Sequence, residues 1–203
     1  SGVSSIHIVS VLGKPLDIQI AEALASYEHH FYKSQLLAHG IKLAYADASQ
    51  YGNDRYAALL AAHQLYSGSK IIIDCGTAIT FDVIDATGQH LGGLIIPGYS
   101  AMLNGLVNNT QQLQQGIKSQ DLQLLAKNTK EALACGTMLC VQMGVKGIVD
   151  RMLIEAKISA PTIVTTGGAQ EEVLASTDVE MTKEPDLVLK GLSMLAALSE
   201  GDL

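Results

Sequence analysis

The chain has 203 residues, enough for one large domain or two small ones, and its 48% apolar content with 19 Gly and only 4 Pro is the profile of a packed α/β protein. A formal net charge of -7 with no Lys/Arg cluster excludes a nucleic-acid partner held by a basic surface, because neutralising phosphates needs grouped cations. Cys75, Cys135 and Cys140 cannot all pair and form no CxxC, which argues against a disulfide framework or a structural zinc and fits a reducing cytoplasm; no apolar run approaches the roughly 18 residues that cross a bilayer.

In chain order, alternation of apolar and polar residues predicts a strand over 5–11, ended by Gly13 and Pro15. Ile18, Ile20, Ala21, Leu24 and Ala25 recur at helical spacing after Asp17, a candidate N-cap, and predict a helix to about residue 31. On that helix the adjacent His29 and His30 point about 100° apart and cannot share a metal. A weaker strand follows at 41–45, then a helix capped by Asn53 or Asp54 that ends near Tyr66. Residues 70–98 contain three β-branched runs broken by Gly76, Gly88 and the pair Gly92 and Gly93, the pattern of an antiparallel meander whose second turn uses Asp85 and Gly88. Beyond it the sequence predicts a helix at 100–107, a Gln-rich loop to Gln123 and a long helix at 129–157 opening on Thr129 and Glu131. Gly136, Gly144 and Gly147 within that helix suggest close packing against a neighbour. A strand at 162–166, a short helix at 170–174, an edge strand at 179–181 and a helix at 185–198 complete the chain.

The richest chemistry lies in Asp74-Cys75-Gly76-Thr77-Ala78-Ile79-Thr80-Phe81-Asp82. A carboxylate directly after three isoleucines is costly to bury unpaired, so Asp74 calls for a cation or dedicated donors. At the turn, Gly76 lets the backbone approach a ligand, and successive N–H groups with the Thr77 hydroxyl can converge on a phosphate. Asp82 on the next strand can orient water or a cation there. An isolated DxGT is more often an ordinary hairpin with an edge carboxylate. Here it extends as DxGTAxTxD, then Gly88, Gly92-Gly93 and Pro97-Gly98, over 25 residues.

That extended pattern resembles the second phosphate motif of type III pantothenate kinases, members of the superfamily of acetate and sugar kinases, Hsp70 and actin. The resemblance implies an actin-like fold of ribonuclease-H-like lobes, with a partial N-terminal lobe at 1–69 and a C-terminal lobe at 70–203. It implies that Asp74 ligates a monovalent cation, K⁺ or NH₄⁺, and that Thr77 touches ATP. Gly52-Asn53-Asp54-Arg55 resembles the family's G-x-D-R segment, which binds substrate and whose Asp accepts the proton of the pantothenate hydroxyl. In that role one carboxylate within reach suffices, since phosphoryl transfer is mainly positioning and charge stabilisation. Arg55 then either holds a carboxylate bidentately or pairs with Asp54; a capping Asp beside a surface Arg is the commoner meaning of an isolated NDR. Tyr45 matches a substrate-contacting tyrosine of some members. Thr129 matches the Thr of the family's T-x-x-A, a substrate contact that can double as a helix terminus, and Thr166-Gly167-Gly168 resembles the adenosine motif.

The resemblance covers about residues 5–195. Family members open with a strand carrying D-x-G-N-T-x-x-K that serves Mg²⁺ and the ATP phosphates, and no stretch here matches it, so the N-terminal lobe is expected to be incomplete. The implied activity is ATP- and Mg²⁺-dependent phosphorylation of pantothenate, the first step of coenzyme A synthesis, by a homodimer that forms the pocket between subunits. The competing expectations are a non-catalytic binding or regulatory relative of the same fold, and another small-molecule kinase of the superfamily.

Overall fold

The computed structural model describes residues 2–107, 123–175 and 180–200. Strands β1 (Ser5–Val9) and β2 (Glu28–Tyr32) pair in parallel, connected by helix α1 (Lys14–Ala23). Gly13 precedes α1 with φ of 85°, Pro15 sits in its first turn, and Asp17 is inside the helix, accepting from the Ser10 hydroxyl. The helix predicted to run to residue 31 therefore stops eight residues earlier. Residues 28–32 (EHHFY) become a strand because β1 offers a parallel partner, a tertiary pairing that outweighs the helical periodicity before it. His29 and His30 thus lie on a strand, and His30 stacks on His7 of β1 with ring centres 5.4 Å apart.

The strand expected at 41–45 is reduced to β4 (Ile41–Lys42), which pairs with β3 (Leu37–Ala38) across a turn whose central residues, His39 and Gly40, both have positive φ. A turn of this hand matches the twist of a tight hairpin. Helix α2 (Asn53–Leu65) starts from Gly52, so Asn53 and Asp54 are its first residues and not its cap. Residues 55–62 of α2 are all buried.

The main sheet has the order β7-β6-β5-β8-β9, from β5 (Lys70–Cys75), β6 (Ala78–Ile84), β7 (His90–Pro97), β8 (Thr162–Thr166) and β9 (Thr182–Lys183). The first three form the expected antiparallel meander, while β8 and β9 run parallel to β5 and its neighbour. This mixed order is that of a ribonuclease-H-like sheet, in agreement with the α/β, actin-like class. The edge strand expected at 179–181 appears instead at 182–183; Val179 and the Gln-rich loop over 108–122 lie outside the described residues.

Both faces of the sheet are covered. On one, Ile71, Ile73, Phe81, Val83 and Ile163 meet Val141, Val145 and Val149 of helix α4 (Thr129–Glu155). On the other, Ile72, Ile84 and Val164 meet α2 and Leu187 and Leu195 of helix α6 (Leu187–Glu200). A Cβ at Gly191 would fall 1.9 Å from the Ala57 carbonyl oxygen, so this glycine lets α6 press on the α2 backbone. Helices α3 (Tyr99–Val107) and α5 (Gln170–Val173) close the ends.

Helix α4 is 27 residues long and apolar enough by length and composition to cross a membrane, contrary to the reading that no such run exists. Its three fully buried valines, each worth about 1.5–3 kcal/mol against the sheet, give it the character of a core helix. Its N-cap is Asn128, whose side chain accepts from the Glu131 amide at 3.0 Å; Thr129 is the first helical residue. Among the described residues Gly136, Gly144 and Gly147 do not meet a neighbour as expected, since nothing there lies within 4 Å of a Cβ built on any of them. Cys75 and Cys135 are buried, but Cys140 is exposed.

Candidate functional site

Two turns lie side by side at the carboxyl end of the sheet. Asp74 is the penultimate residue of β5, Thr166 ends β8, and the two residues face each other in the parallel register. Ligands of α/β proteins gather at this end of parallel strands, where loops diverge and leave a crevice. Gly167 follows with φ of 90°, and a Cβ on it would sit 2.5 Å from both Asp74 Oδ1 and the Cys75 carbonyl oxygen. The Ala169 amide donates to that same carbonyl at 3.0 Å, tying the second turn to the first. Gly168 faces open space.

In the first turn Gly76, Thr77 and Ala78 are exposed. The Gly76 N–H donates to the Ala78 carbonyl at 3.0 Å, so it is not free for a phosphate as the sequence suggested. Among the described residues nothing bonds the exposed Thr77 hydroxyl. The Thr77 carbonyl accepts from the Gly98 amide at 2.9 Å, and a Cβ at Gly98 would lie 2.6 Å from the Gly76 oxygen, so Pro97-Gly98 is the buttress of this turn. Burial, with Asp74 adding to it, pushes the Cys75 thiol up to about 12, which fits a packing role. The Thr166 hydroxyl donates to the Pro185 carbonyl at 3.1 Å.

Asp54 approaches the same end from α2. Gly52 makes room for it, since a Cβ there would be 2.7 Å from Asp54 Oδ1. The carboxylate accepts from the Arg55 amide at 2.7 Å. Asp74 is partly buried, and no hydrogen bond reaches its carboxylate among the described residues. Burial first, and then the charge of Asp54, push the Asp74 carboxyl above its ordinary value. Two carboxylates that feel each other in a partly dry crevice fit a bound cation, which relieves both effects. Among the described residues no group of three or more His, Cys, Asp or Glu gathers as a metal cage.

The neighbouring residues of the Gly52–Arg55 segment have other tasks. The Asn53 side chain donates to the Ser10 carbonyl at 2.7 Å and accepts from the Ser34 amide at 2.9 Å, so both ends of its amide clamp the N-terminal segments. Arg55 pairs with Asp82, not with Asp54: its Nε and Nη2 donate to the two carboxylate oxygens at 2.9 and 2.6 Å. His90 reaches Asp82 Oδ1 as well, at 3.0 Å. Both Asp82 oxygens thus accept from buried protein donors, which account for its charge without a cation. Burial opposes the charge on Arg55, but the hydrogen bonds and charge of Asp82 hold its pKa above the ordinary value. Gly93 faces Asp82 in the β6–β7 register, and a Cβ there would lie 2.8 Å from Arg55 Nη2.

Tyr45 stands at the rim of this pair, its hydroxyl 3.5 Å from Arg55 Nη1. The Arg55 guanidinium lies over the ring of Tyr51, 4.5 Å from its centre. Tyr51 is 2% exposed and its hydroxyl has no hydrogen-bond partner among the described residues; burial, then Asp82, push it well above its ordinary value. Sequence reasoning missed Tyr51 and His90. The available signal was Asp82 itself, a carboxylate between Phe81 and Val83 whose burial requires buried donors. Thr129 is exposed at the start of α4 and makes no described contact with Asp54 or Arg55. A separate groove of about 750 Å³ between β7 and α4 contains none of the candidate phosphate or substrate residues.

The sequence model of the type III pantothenate kinases matches residues 2–151. The chain belongs to the type III pantothenate kinase family. Its relatives include the type III pantothenate kinase of Nitrosococcus oceani, 31% identical over 205 residues, with 96% of this chain and 76% of the relative covered. That of Alcanivorax borkumensis is 34% identical, with 96% and 79% covered. Among solved structures, a conserved Baf family protein from Campylobacter jejuni matches 94% of this chain and 81% of its own, with a TM-score of 0.61 at 20% identity, a likeness of fold. As a type III pantothenate kinase family member, the chain is assigned to a family of phosphotransferases.

Proposed function

We propose that this protein transfers the γ-phosphoryl group of ATP to the primary hydroxyl of pantothenate, giving 4′-phosphopantothenate, with the lobes at 1–69 and 70–203 meeting at the site. The observation that carries this reading is the place of Asp74 near the carboxyl end of β5, a partly buried carboxylate set against the Gly76 and Gly167 turns that feels the charge of Asp54. Asp54 accepts the hydroxyl proton as the oxygen attacks phosphorus. Gly76 and Thr77 receive the phosphates through the Thr hydroxyl and the exposed turn, and Gly167 and Gly168 leave room for the nucleoside against the backbone. Asp74 holds a K⁺ or NH₄⁺ ion, which would offset the charge gathered there. Mg²⁺ is expected to arrive on the phosphates, since it is commonly held by one or two carboxylates together with them. Arg55 Nη1 and Tyr45 meet the pantothenate carboxylate.

We further propose a homodimer in which Thr129 is presented to the substrate pocket of the second copy. Support comes from β7, which among the described residues is an unpaired sheet edge, exposing Leu91, Leu94 and Ile95 beside the glycines of α4. An apolar edge of this kind is a template for another chain. Free cysteines support a reducing, cytoplasmic setting.

The test is to incubate the protein, from its full reading frame, with ATP, Mg²⁺, K⁺ and pantothenate and to follow ³¹P resonances. A phosphomonoester that appears only with pantothenate supports the reading. ATP consumption with other alcohols but not pantothenate would favour another kinase of the superfamily, and no turnover with any would favour a binding protein.

A further inference from the structure

A buried chain of contacts leads away from Arg55 into the sheet and is not required for phosphoryl transfer as such. His90, at the start of β7, is 0% exposed. The Ala44 amide donates to its Nδ1 at 3.5 Å, which leaves Nε2 as the ring's donor to Asp82 Oδ1 at 3.0 Å. Asp82 then receives two nitrogens of Arg55, and Tyr51 supports the plane of the guanidinium from one side. The terminal carboxyl torsion of an aspartate is broad on its own, so its donors set its plane, and His90 adds a third from β7 to the two of Arg55. Arg55 Nη1 is the one guanidinium nitrogen that Asp82 does not engage, and it lies beside the Tyr45 hydroxyl. Tyr45 in turn stacks on His90, with ring centres 6.1 Å apart and planes 17° from parallel. One imidazole therefore contacts both the carboxylate that orients Arg55 and the ring that carries its neighbouring hydroxyl.

We infer that His90 is a positioning residue: through Asp82 and by stacking on Tyr45, it aims Arg55 Nη1 and the Tyr45 hydroxyl at one carboxylate group of the substrate. This inference rests on the pantothenate reading for the identity of that carboxylate. A purely structural network would need only the Arg55–Asp82 pair, and removing His90 would then lower stability without altering how substrate is held.

The experiment compares His90→Phe, which keeps a ring to stack on Tyr45 but has no donor for Asp82, with His90→Gln, whose amide restores a donor near the Nε2 position. The expected result for His90→Phe is a rise of about 10-fold in KM for pantothenate, the scale of one charge-assisted hydrogen bond set out of line, with kcat and KM for ATP within about twofold. His90→Gln should recover most of that loss. In ¹H–¹⁵N spectra the Arg55 Nε–H resonance, protected in the native protein, should exchange rapidly in His90→Phe and be protected again in His90→Gln. Unchanged KM for pantothenate in a folded His90→Phe protein, or no recovery with His90→Gln, would overturn the inference. If the native protein does not use pantothenate, the functional reading fails and the Arg55 resonance decides alone: protection retained in His90→Phe overturns the positioning role. Should His90→Phe not fold, His90→Asn, too short to reach Asp82, takes its place with the same expectations.

Discussion

Replacing Gly167 by alanine tests the packing of the two turns against each other. The new Cβ would lie 2.5 Å from Asp74 Oδ1, 2.5 Å from the Cys75 oxygen and 2.6 Å from the Cys75 carbonyl carbon, two of them backbone atoms that cannot swing away. At φ of 90° an alanine also carries about 1–3 kcal/mol of backbone strain, and forcing backbone apart adds about 1–3 kcal/mol. The sum, roughly 2–6 kcal/mol, converts to a fall in Tm of about 5–20 °C at this chain length. Gly168→Ala is the internal control: nothing lies within 4 Å of its Cβ, so stability should stay within about 0.5 kcal/mol while nucleotide affinity falls. Thermal and urea unfolding followed by circular dichroism measure the first effect, and titration with ATP the second. A Gly167→Ala protein as stable as Gly168→Ala would refute the claim that β8 delivers its glycine onto Asp74.

Asp74→Asn addresses the cation. Because the folded-state pKa of Asp74 is raised, its ionisation opposes folding: the stability it allows is full below the unfolded value and is lost as pH rises through the folded value. In cation-free buffer at pH 7 the variant should therefore melt higher than the native protein, with the gap closing in acid, and K⁺ should raise the native Tm but not the variant's. Equal K⁺ responses would count against Asp74 as the ligand. Arg55→Met leaves the Asp82 carboxylate buried without its partner, a loss of about 3–5 kcal/mol by urea unfolding. The Arg55→Met, Asp82→Asn double variant should recover part of this, and a double variant no better than the single would contradict the ion pair. Ile95→Lys on the exposed β7 edge should shift the protein toward monomer in sedimentation velocity, with its fold intact by circular dichroism. An unchanged sedimentation coefficient would remove that edge from the dimer proposal.

The meander was legible because three β-branched runs separated by glycines have few other folds, and two of the glycines in the motif, Gly93 and Gly98, sit where a Cβ would strike the neighbouring backbone. The residues that end β5 and β8 were legible for the same reason. What local pattern could not supply was any pairing made at long range. Residues 28–32 read as the tail of a helix because their partner, β1, lies some twenty residues back. The clamp that Asn53 makes on Ser10 and Ser34 was hidden because neither is its neighbour in sequence. Asp82 read as a free carboxylate because its donors come from α2 and from β7. Gly144 and Gly147 read as contact points within the chain, yet they open onto a groove at the sheet edge.

The central claim is that Asp54 takes the proton of the hydroxyl being phosphorylated, opposite the Asp74 turn. Its most direct test is pantothenate-dependent ADP formation by the full-length native protein and by Asp54→Asn, under saturating ATP, Mg²⁺ and K⁺. The account predicts a kcat lower by about 10²–10⁴-fold in the variant, with pantothenate and ATP still bound. An Asp54→Asn enzyme that turns over at the native rate would contradict it.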